Sequence, residues 1–253
     1  MTKKFQNIIN KGSYLAAIAV ILLVWQGICT YEVVPSFMLP SPVDVWKAFI
    51  GEFGLLMMHA KITLIEAGIG LFLGVVLGVV IAVLMDANQM VYNACYPILV
   101  ITQTIPTVAI APLLVLWLGY DMAPKIVLIV IATFFPITIG VLDGLKSTDK
   151  DTLNLLRSMG ASRFQIFYHL KLKSSLGAFF ASLKISVSYS IIGAVIAEWL
   201  GGFSGLGVYM TRVRKSFSYD KMFAVIFMIS LISIMLMLLV KAVRKKCMPW
   251  EQV

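Results

Sequence analysis

Between Ile62 and Met85 the chain reads ITLIEAGIGLFLGVVLGVVIAVLM, a run of 24 residues with one charge, Glu66. A stretch that long and that apolar can cross the hydrocarbon core of a bilayer as a helix, where every backbone N–H and C=O must find its partner inside the segment. Comparable runs recur at about residues 14–31, 124–142, 176–200 and 222–240. Residues 91–118 form a longer apolar segment interrupted by Pro97, Pro106 and Pro112, which reads as one broken span or as a span followed by a second short helix. The expected fold is therefore an all-α polytopic membrane protein with about six transmembrane helices. Five and seven are the alternatives, and they turn on the proline-rich segment. One membrane domain over 1–253 is expected, with its core at about 60–243.

Only 13% of the residues are charged, against roughly a quarter in soluble domains. The net charge of +9 would suit a nucleic-acid binder if it formed one stripe, but the basic residues flank the apolar spans and are assigned to membrane faces. Cys29, Cys95 and Cys247 make neither a metal-ligand spacing nor a disulfide framework. The basic N-terminus leads into an apolar run without a small-residue cleavage site, so the first span is expected to stay.

The longest polar interruption is LKSTDKDTLNLLRSMGASRFQIFYHLKLKSS, residues 145–175. Two short helices are predicted in it. Thr148 can cap the first, with Asp149 and Asp151 in the first turn, where carboxylates suit a helix N-terminus. Ser162 can cap the second, with Gln165 at capping-box spacing. Gly160 lies between them, where a left-handed residue would end the first. Basic residues near span ends place this loop and both termini on one side. That side collects Lys3, Lys4, Lys11, Lys146, Lys150, Arg157, Arg163, Lys171, Lys173, Lys241, Arg244, Lys245 and Lys246. The other collects Lys47, Lys61, Lys125, Arg212, Arg214, Lys215 and Lys221. The richer side is read as cytoplasmic.

Ionisable residues inside spans are functional candidates. Glu66 is followed by Gly70, Gly74, Gly78 and Ala82 at four-residue steps, a spacing that lets two helices approach closely. Glu66 reads either as part of a transport path or as a buried acid at that helix contact. Glu198 follows Ser182, Ser186, Ser190 and Ala194, a small hydroxyl-bearing surface that suits a water-filled path or tight packing. Gln103, Thr104 and Thr107 surround Pro106, and irregular backbone at membrane depth is tolerated only against protein or a cavity. Gln103, Thr104, Thr107, Ser186, Ser190, Glu198 and Glu66 are the candidate path residues. No catalytic cluster is evident, and His59 and His169 have no metal-ligand companions in the sequence. A phosphate-binding loop needs G-x-x-x-x-G-K-[ST]. GVLDGLKS at residues 140–147 has the wrong spacing, so the chain is not expected to hydrolyse ATP.

NLLRSMGASRFQIFYHLKLKSS resembles the cytoplasmic coupling loop of the membrane permease subunits of bacterial ABC importers, of the form EAA-x3-G-x9-I-x-LP. Gly160 matches the family glycine and Leu172 the leucine of the trailing motif. Asn154, Leu155 and Leu156 stand where Glu-Ala-Ala is usual, and Lys173 where Pro is usual. LPSPVDVWKAF, QTIPTVAIAPLLVLWLGYDMAPKI and AEWLGGFSGLGVYMTRV are similar to the branch that imports nitrate, sulfonates, taurine and thiamine precursors. LLRSMGAS, EWLGG, GLGVYMTR and the terminal CMPW look most like permeases for hydroxymethylpyrimidine-type thiamine precursors.

The resemblance implies that Asn154, Leu155, Leu156, Arg157, Ser158, Met159, Gly160 and Ala161 couple the chain to an ATPase. It implies a cytoplasmic ATPase dimer that binds ATP and Mg, an extracytoplasmic substrate-binding protein, and a second, identical permease chain. It implies no cofactor in this chain, no metal site, and a place in the bacterial inner membrane. Sulfonate, taurine, nitrate or riboflavin transport is the alternative within the family. An ion-coupled secondary transporter is the alternative outside it, and it would typically show internal repeats and intramembrane charge.

Overall fold

The computed structural model describes residues 3–35 and 38–252, and the side chains of 16–35 and 38–250. The described residues form helices and no strand. In order these are α1 (Lys3–Thr30), α2 (Pro42–Gly51), α3 (Phe53–Ala87), α4 (Gln89–Thr104), α5 (Thr107–Leu118), α6 (Met122–Lys146), α7 (Lys150–Ser158) and α8 (Arg163–Ile166). A π-helical turn, Phe167–Lys171, joins α8 to α9 (Leu172–Leu200), and α10 (Leu206–Lys215) and α11 (Tyr219–Cys247) follow. A 3-10 turn, Pro249–Gln252, comes last.

Four stretches are long and apolar enough to span: Phe53–Ala87, Met122–Lys146, Arg163–Leu200 and Tyr219–Cys247. The helices α4 and α5 are apolar and long enough only when taken together, and they are bent by 97° at their break, as a broken span or a re-entrant segment would be. Six were expected. The sixth candidate, about residues 14–31, falls in α1, where the apolar part with described side chains, Ala16–Thr30, is short of a full crossing. Residues 14 and 15 lie outside the described side chains.

The bend follows from Pro106. Proline pushes its predecessor out of the helical region, and Ile105 is extended at φ −86°, ψ 119°. Pro106 in turn becomes the N-cap of α5. The proline break expected in this segment is thus present, with a helix on either side of it.

The chain divides into two units, residues 1–58 with 209–228 and residues 59–208 with 229–253. In the first, α1 meets α2, and the Trp25 indole N–H donates to the Pro40 carbonyl at 3.1 Å. Trp46, Phe49 and Phe227 stack and cross edge-to-face, with centroids 5.1–6.1 Å apart. Lys221 pairs with Glu52.

In the second unit the dominant packing is α6 on α9. A Cβ added to Gly140 would fall 2.5 Å from Ser182 Cβ, and one on Gly144 would fall 2.7 Å from Ser175 Cα, so the two helices meet backbone to backbone. The row Gly70, Gly74, Gly78 seats α3 on Ile129, Thr133 and Ile137 of α6. Small residues at four-residue steps do here what their spacing predicts. Ala82, Met85, Leu99, Ile137, Val141, Leu142 and Leu145 form a buried cluster, with Val91, Tyr92 and Phe167 packed on it.

Candidate functional site

The polar loop folds as two capped helices. Asp149, not Thr148, caps α7: its carboxylate accepts from the Thr152 amide at 2.9 Å and from the Thr152 hydroxyl. Thr148 turns back instead and donates to the Leu145 carbonyl at 2.8 Å. The ionised aspartate is the better acceptor for helix N–H groups. These hydrogen bonds from Thr152, with a further one from the Asp151 amide, hold the Asp149 carboxyl below its ordinary range, against a smaller opposing effect of desolvation. α7 ends with the Leu156 carbonyl accepting from Ala161 N and Arg157 from Gly160 N, both at 3.0 Å. Gly160 sits at φ +79°, the left-handed residue that such a C-terminus requires. Ser162 and Gln165 then form the full capping box predicted for α8.

Asn154 to Ser158 occupy the end of α7, followed by Met159, Gly160 and Ala161. Leu155 is 60% exposed and Met159 74%, and on α8 and the π turn Phe164 and Tyr168 are 74% and 54% exposed. A groove of about 330 Å³ runs between the two helices, lined by Leu156, Met159, Gly160, Ala161, Gln165 and His169.

At the Pro106 break, Gln103 and Thr107 line a cavity of about 310 Å³ with Thr102, Tyr189, Ile192 and Ile196. Thr104 lies beside the break, and its hydroxyl donates to the Ile101 carbonyl at 2.8 Å. Tyr189 is a contributor that sequence reasoning missed. It lies one residue from the serine row, on a helix turn that brings it to α4.

The other expected path residues lie elsewhere. Ser186 and Ser190 are buried, and the Ser186 hydroxyl donates to the Thr133 carbonyl at 3.2 Å across the α6–α9 contact. Glu66 and Glu198 are each 2% exposed. Lys125 donates to Glu66 Oε1 at 2.6 Å, while Glu66 Oε2 has no hydrogen-bond partner. Glu198 lies beside Glu66. Its Oε1 accepts from Thr63 at 2.7 Å, and its Oε2 accepts from the Gly207 amide at 2.6 Å. The Leu206 amide donates to Thr63 Oγ1 at 2.9 Å and the Gly205 amide to His59 Nδ1 at 3.1 Å.

The glycine-rich segment Gly201–Gly207 is tied down at three successive amides, those of Gly205, Leu206 and Gly207. Gly205 is at φ +126°, and a Cβ there would collide with the Glu198 carboxylate. Lys125, assigned from sequence to a membrane face, is 5% exposed and serves as the cation of this cluster. The signal for it was Glu66 itself, since an acid buried in a span needs a cation within reach. Among the described residues no group of three or more His, Cys, Asp or Glu could hold a metal.

Residues 74–248 match the family model described as the binding-protein-dependent transport system inner membrane component. The formylaminopyrimidine transport permease protein ThiX of Halalkalibacterium halodurans is 38% identical over 92% of this chain and 93% of its own length. A probable ABC transporter permease protein of Haemophilus influenzae is also 38% identical, over 88% of this chain and 91% of its own. Among solved structures, a chain of the MetNI methionine ABC transporter in an inward-facing form superposes with a TM-score of 0.66 at 19% identity. That match covers 78% of this chain and 97% of the other, and it speaks for the fold.

Proposed function

This chain belongs to the binding-protein-dependent transport system inner membrane components, as an ABC transporter permease, and from that premise we propose that it imports a pyrimidine precursor of thiamine, of the formylaminopyrimidine or hydroxymethylpyrimidine class. In this reading residues 145–175 face the cytoplasm, and the apolar row Leu155, Met159, Phe164 and Tyr168 docks on a separate ATPase that binds ATP and Mg. The observation that carries the reading is this row. Four large apolar side chains stand exposed on a doubly capped helix pair in the most polar part of the chain. An apolar patch of that kind, rimmed by charge, marks a protein contact.

The two chains of a homodimer would form the pore, both termini would be cytoplasmic with α1 as the sixth crossing and α4–α5 as one, and an extracytoplasmic protein would deliver the substrate. The cavity at the Pro106 break supports a small, uncharged cargo. It pairs apolar walls, Ile105, Ile131, Ile192 and Ile196, with the Gln103 amide and the hydroxyls of Thr102, Thr107 and Tyr189. Its volume of about 310 Å³ is at the low end for ligand sites. No buried cation faces it to hold a sulfonate or nitrate among the described lining residues.

The test is to purify the tagged chain from its native membrane and to screen the retained binding protein. The ligand panel holds hydroxymethylpyrimidine, formylaminopyrimidine, taurine, an alkanesulfonate, nitrate and riboflavin. An ATPase in the eluate and a pyrimidine ligand are expected. A sulfonate or nitrate ligand would keep the permease and discard the pyrimidine. A preparation without an ATPase would overturn the docking role of the loop.

A further inference from the structure

The polar loop leaves α6 at Lys146 and re-enters the helical body at the π turn that ends in Lys171, and both of these lysines reach to the same place. Lys146 Nζ lies 3.5 Å from the centroid of the Tyr92 ring. Lys171 Nζ lies 2.9 and 2.8 Å from the two carboxylate oxygens of Asp86. Asp86 and Tyr92 bracket the short turn between α3 and α4, which Asn88 caps by accepting from the Met90 amide at 2.8 Å.

We propose that the α3–α4 turn, Asp86 to Tyr92, is part of the coupling device, gripped by a cation at each end of the loop so that turn and loop move as one body. The inference rests on the reading of the loop as the ATPase dock and extends it to a second element.

Three further observations support it. Asp86 lies in the last turn of α3, where the helix presents the negative end of its dipole and a carboxylate is disfavoured. Its placement there gains nothing for α3 itself and is repaid only by an external cation. Next, the π turn inserts one residue into what would otherwise be a continuous helix from Arg163 to Leu200: the Leu172 amide donates to the Phe167 carbonyl five residues back. One extra residue rotates the preceding side chains by about 100° relative to those that follow, and such bulges concentrate at functional positions. Finally, the two cation contacts are embedded in apolar packing. Met85, Val91 and Tyr92 from the turn, and Leu145 and Phe167 from the loop ends, belong to one cluster. The Asp86 side chain is 10% exposed and that of Lys171 23%, so solvent screens the pair less than an ordinary surface bridge.

The experiment uses the assembled transporter in liposomes, with its ATPase and binding protein. Spin labels go on Met90→Cys and Lys150→Cys, with Cys29, Cys95 and Cys247 replaced by serine. The label-to-label distance is measured without nucleotide and with ATP trapped by vanadate. The same preparations give the stimulation of ATP hydrolysis by the binding protein.

The wild-type distance is expected to stay the same in both states. In the double variant Lys146→Met/Lys171→Met the distribution should broaden or shift on trapping, and stimulation should fall severalfold with basal hydrolysis retained. Lys171→Arg should behave as wild type, and the exchange Asp86→Lys/Lys171→Asp should recover most of the stimulation. A wild-type distance that changes between states, or unchanged stimulation in the double variant, would overturn this inference alone. A loss confined to the yield of complex, at constant stimulation, would mark the contacts as structural and would also overturn it. A wild-type chain that retains no ATPase would overturn both this inference and the docking role on which it rests.

Discussion

Lys125→Met would strand the Glu66 carboxylate, which is 2% exposed, beside a second acid. Breaking a buried pair from one side costs about 3–5 kcal/mol. Thermal unfolding in detergent should therefore show a large loss for Lys125→Met and a much smaller one for Lys125→Met/Glu66→Gln, because the second change removes the unpaired charge. At Gly205, alanine would have to adopt φ +126° and overlap the Glu198 carboxylate. Gly205→Ala should lower the melting temperature, while Gly119→Ala, whose Cβ would meet nothing, should show only the smaller effect of its positive φ.

The pH response of α7 can be worked out from Asp149. Its carboxyl is held below the ordinary range by hydrogen bonds in the folded state, so its capping contribution is complete above the unfolded value of about 3.9 and fades as pH falls through the lower folded value. The protection of the α7 amides, taken relative to their intrinsic exchange at each pH, should be flat from neutral pH down to about pH 4 and fall only below it. Asp149→Asn should keep the cap and remove that acid response. The sequence marked Glu66 and Glu198 as residues to explain, since charges in apolar runs are visible without coordinates. It did not reveal that they share one site, because 132 positions separate them in the chain and no periodicity reports a contact at that separation.

At the scale of elements, the Gly160 turn separates two effects that the sequence runs together. A Cβ at Gly160 would meet nothing within 4 Å, but the backbone is at φ +79°. Gly160→Val should therefore leave the spans folded while unseating α8 from α7. The cost is of the order of 1–2 kcal/mol for a left-handed residue, and more for a β-branched one. Uptake should fall with ATP hydrolysis retained, and Gly160→Asn, which tolerates this conformation, should be nearly silent.

Replacing Leu155 and Met159 together by serine should abolish co-purification of an ATPase without changing the thermal stability of the permease, since both side chains are exposed. The capping box at Ser162, the glycine turn and the break at Pro106 were legible because each is local chemistry over a few residues. The cap at Asp149 was misassigned by one position, since adjacent residues both able to cap differ only in which backbone dihedral the chain adopts. The π turn left no sequence signal: Phe167–Lys171 is ordinary helical sequence, and the extra residue is visible only in the register of its hydrogen bonds.

For the whole molecule, hydropathy identified the spans at α3, α6, α9 and α11, because each carries enough apolar length to stand alone, whereas α4 and α5 reach that length only together. Which helices touch was legible only for α3, where glycines at four-residue steps announce a close partner without naming it as α6. The expected topology can be mapped directly. Reporter fusions after Ser158 and after Lys246 should report the cytoplasm, and one after Gly119 should report the opposite side. A fusion at Ser158 reporting the outside would reverse the orientation.

The helix α9 has a further consequence. It runs unbroken from Leu172, beside the π turn, to Leu200, with Glu198 near its far end. It acts as a rod. From Leu172 to Glu198 the rise is roughly 40 Å, so a tilt of about 5° pivoting at the near end sweeps the carboxylate through roughly 3 Å. Hydrogen bonds of 2.6–2.7 Å to Gly207 and Thr63 do not stretch that far. Under such a tilt either they would snap and free the glycine segment, or α3 and that segment would have to travel with the rod. In both cases a small angular displacement at one end of α9 would reach the other end magnified by leverage.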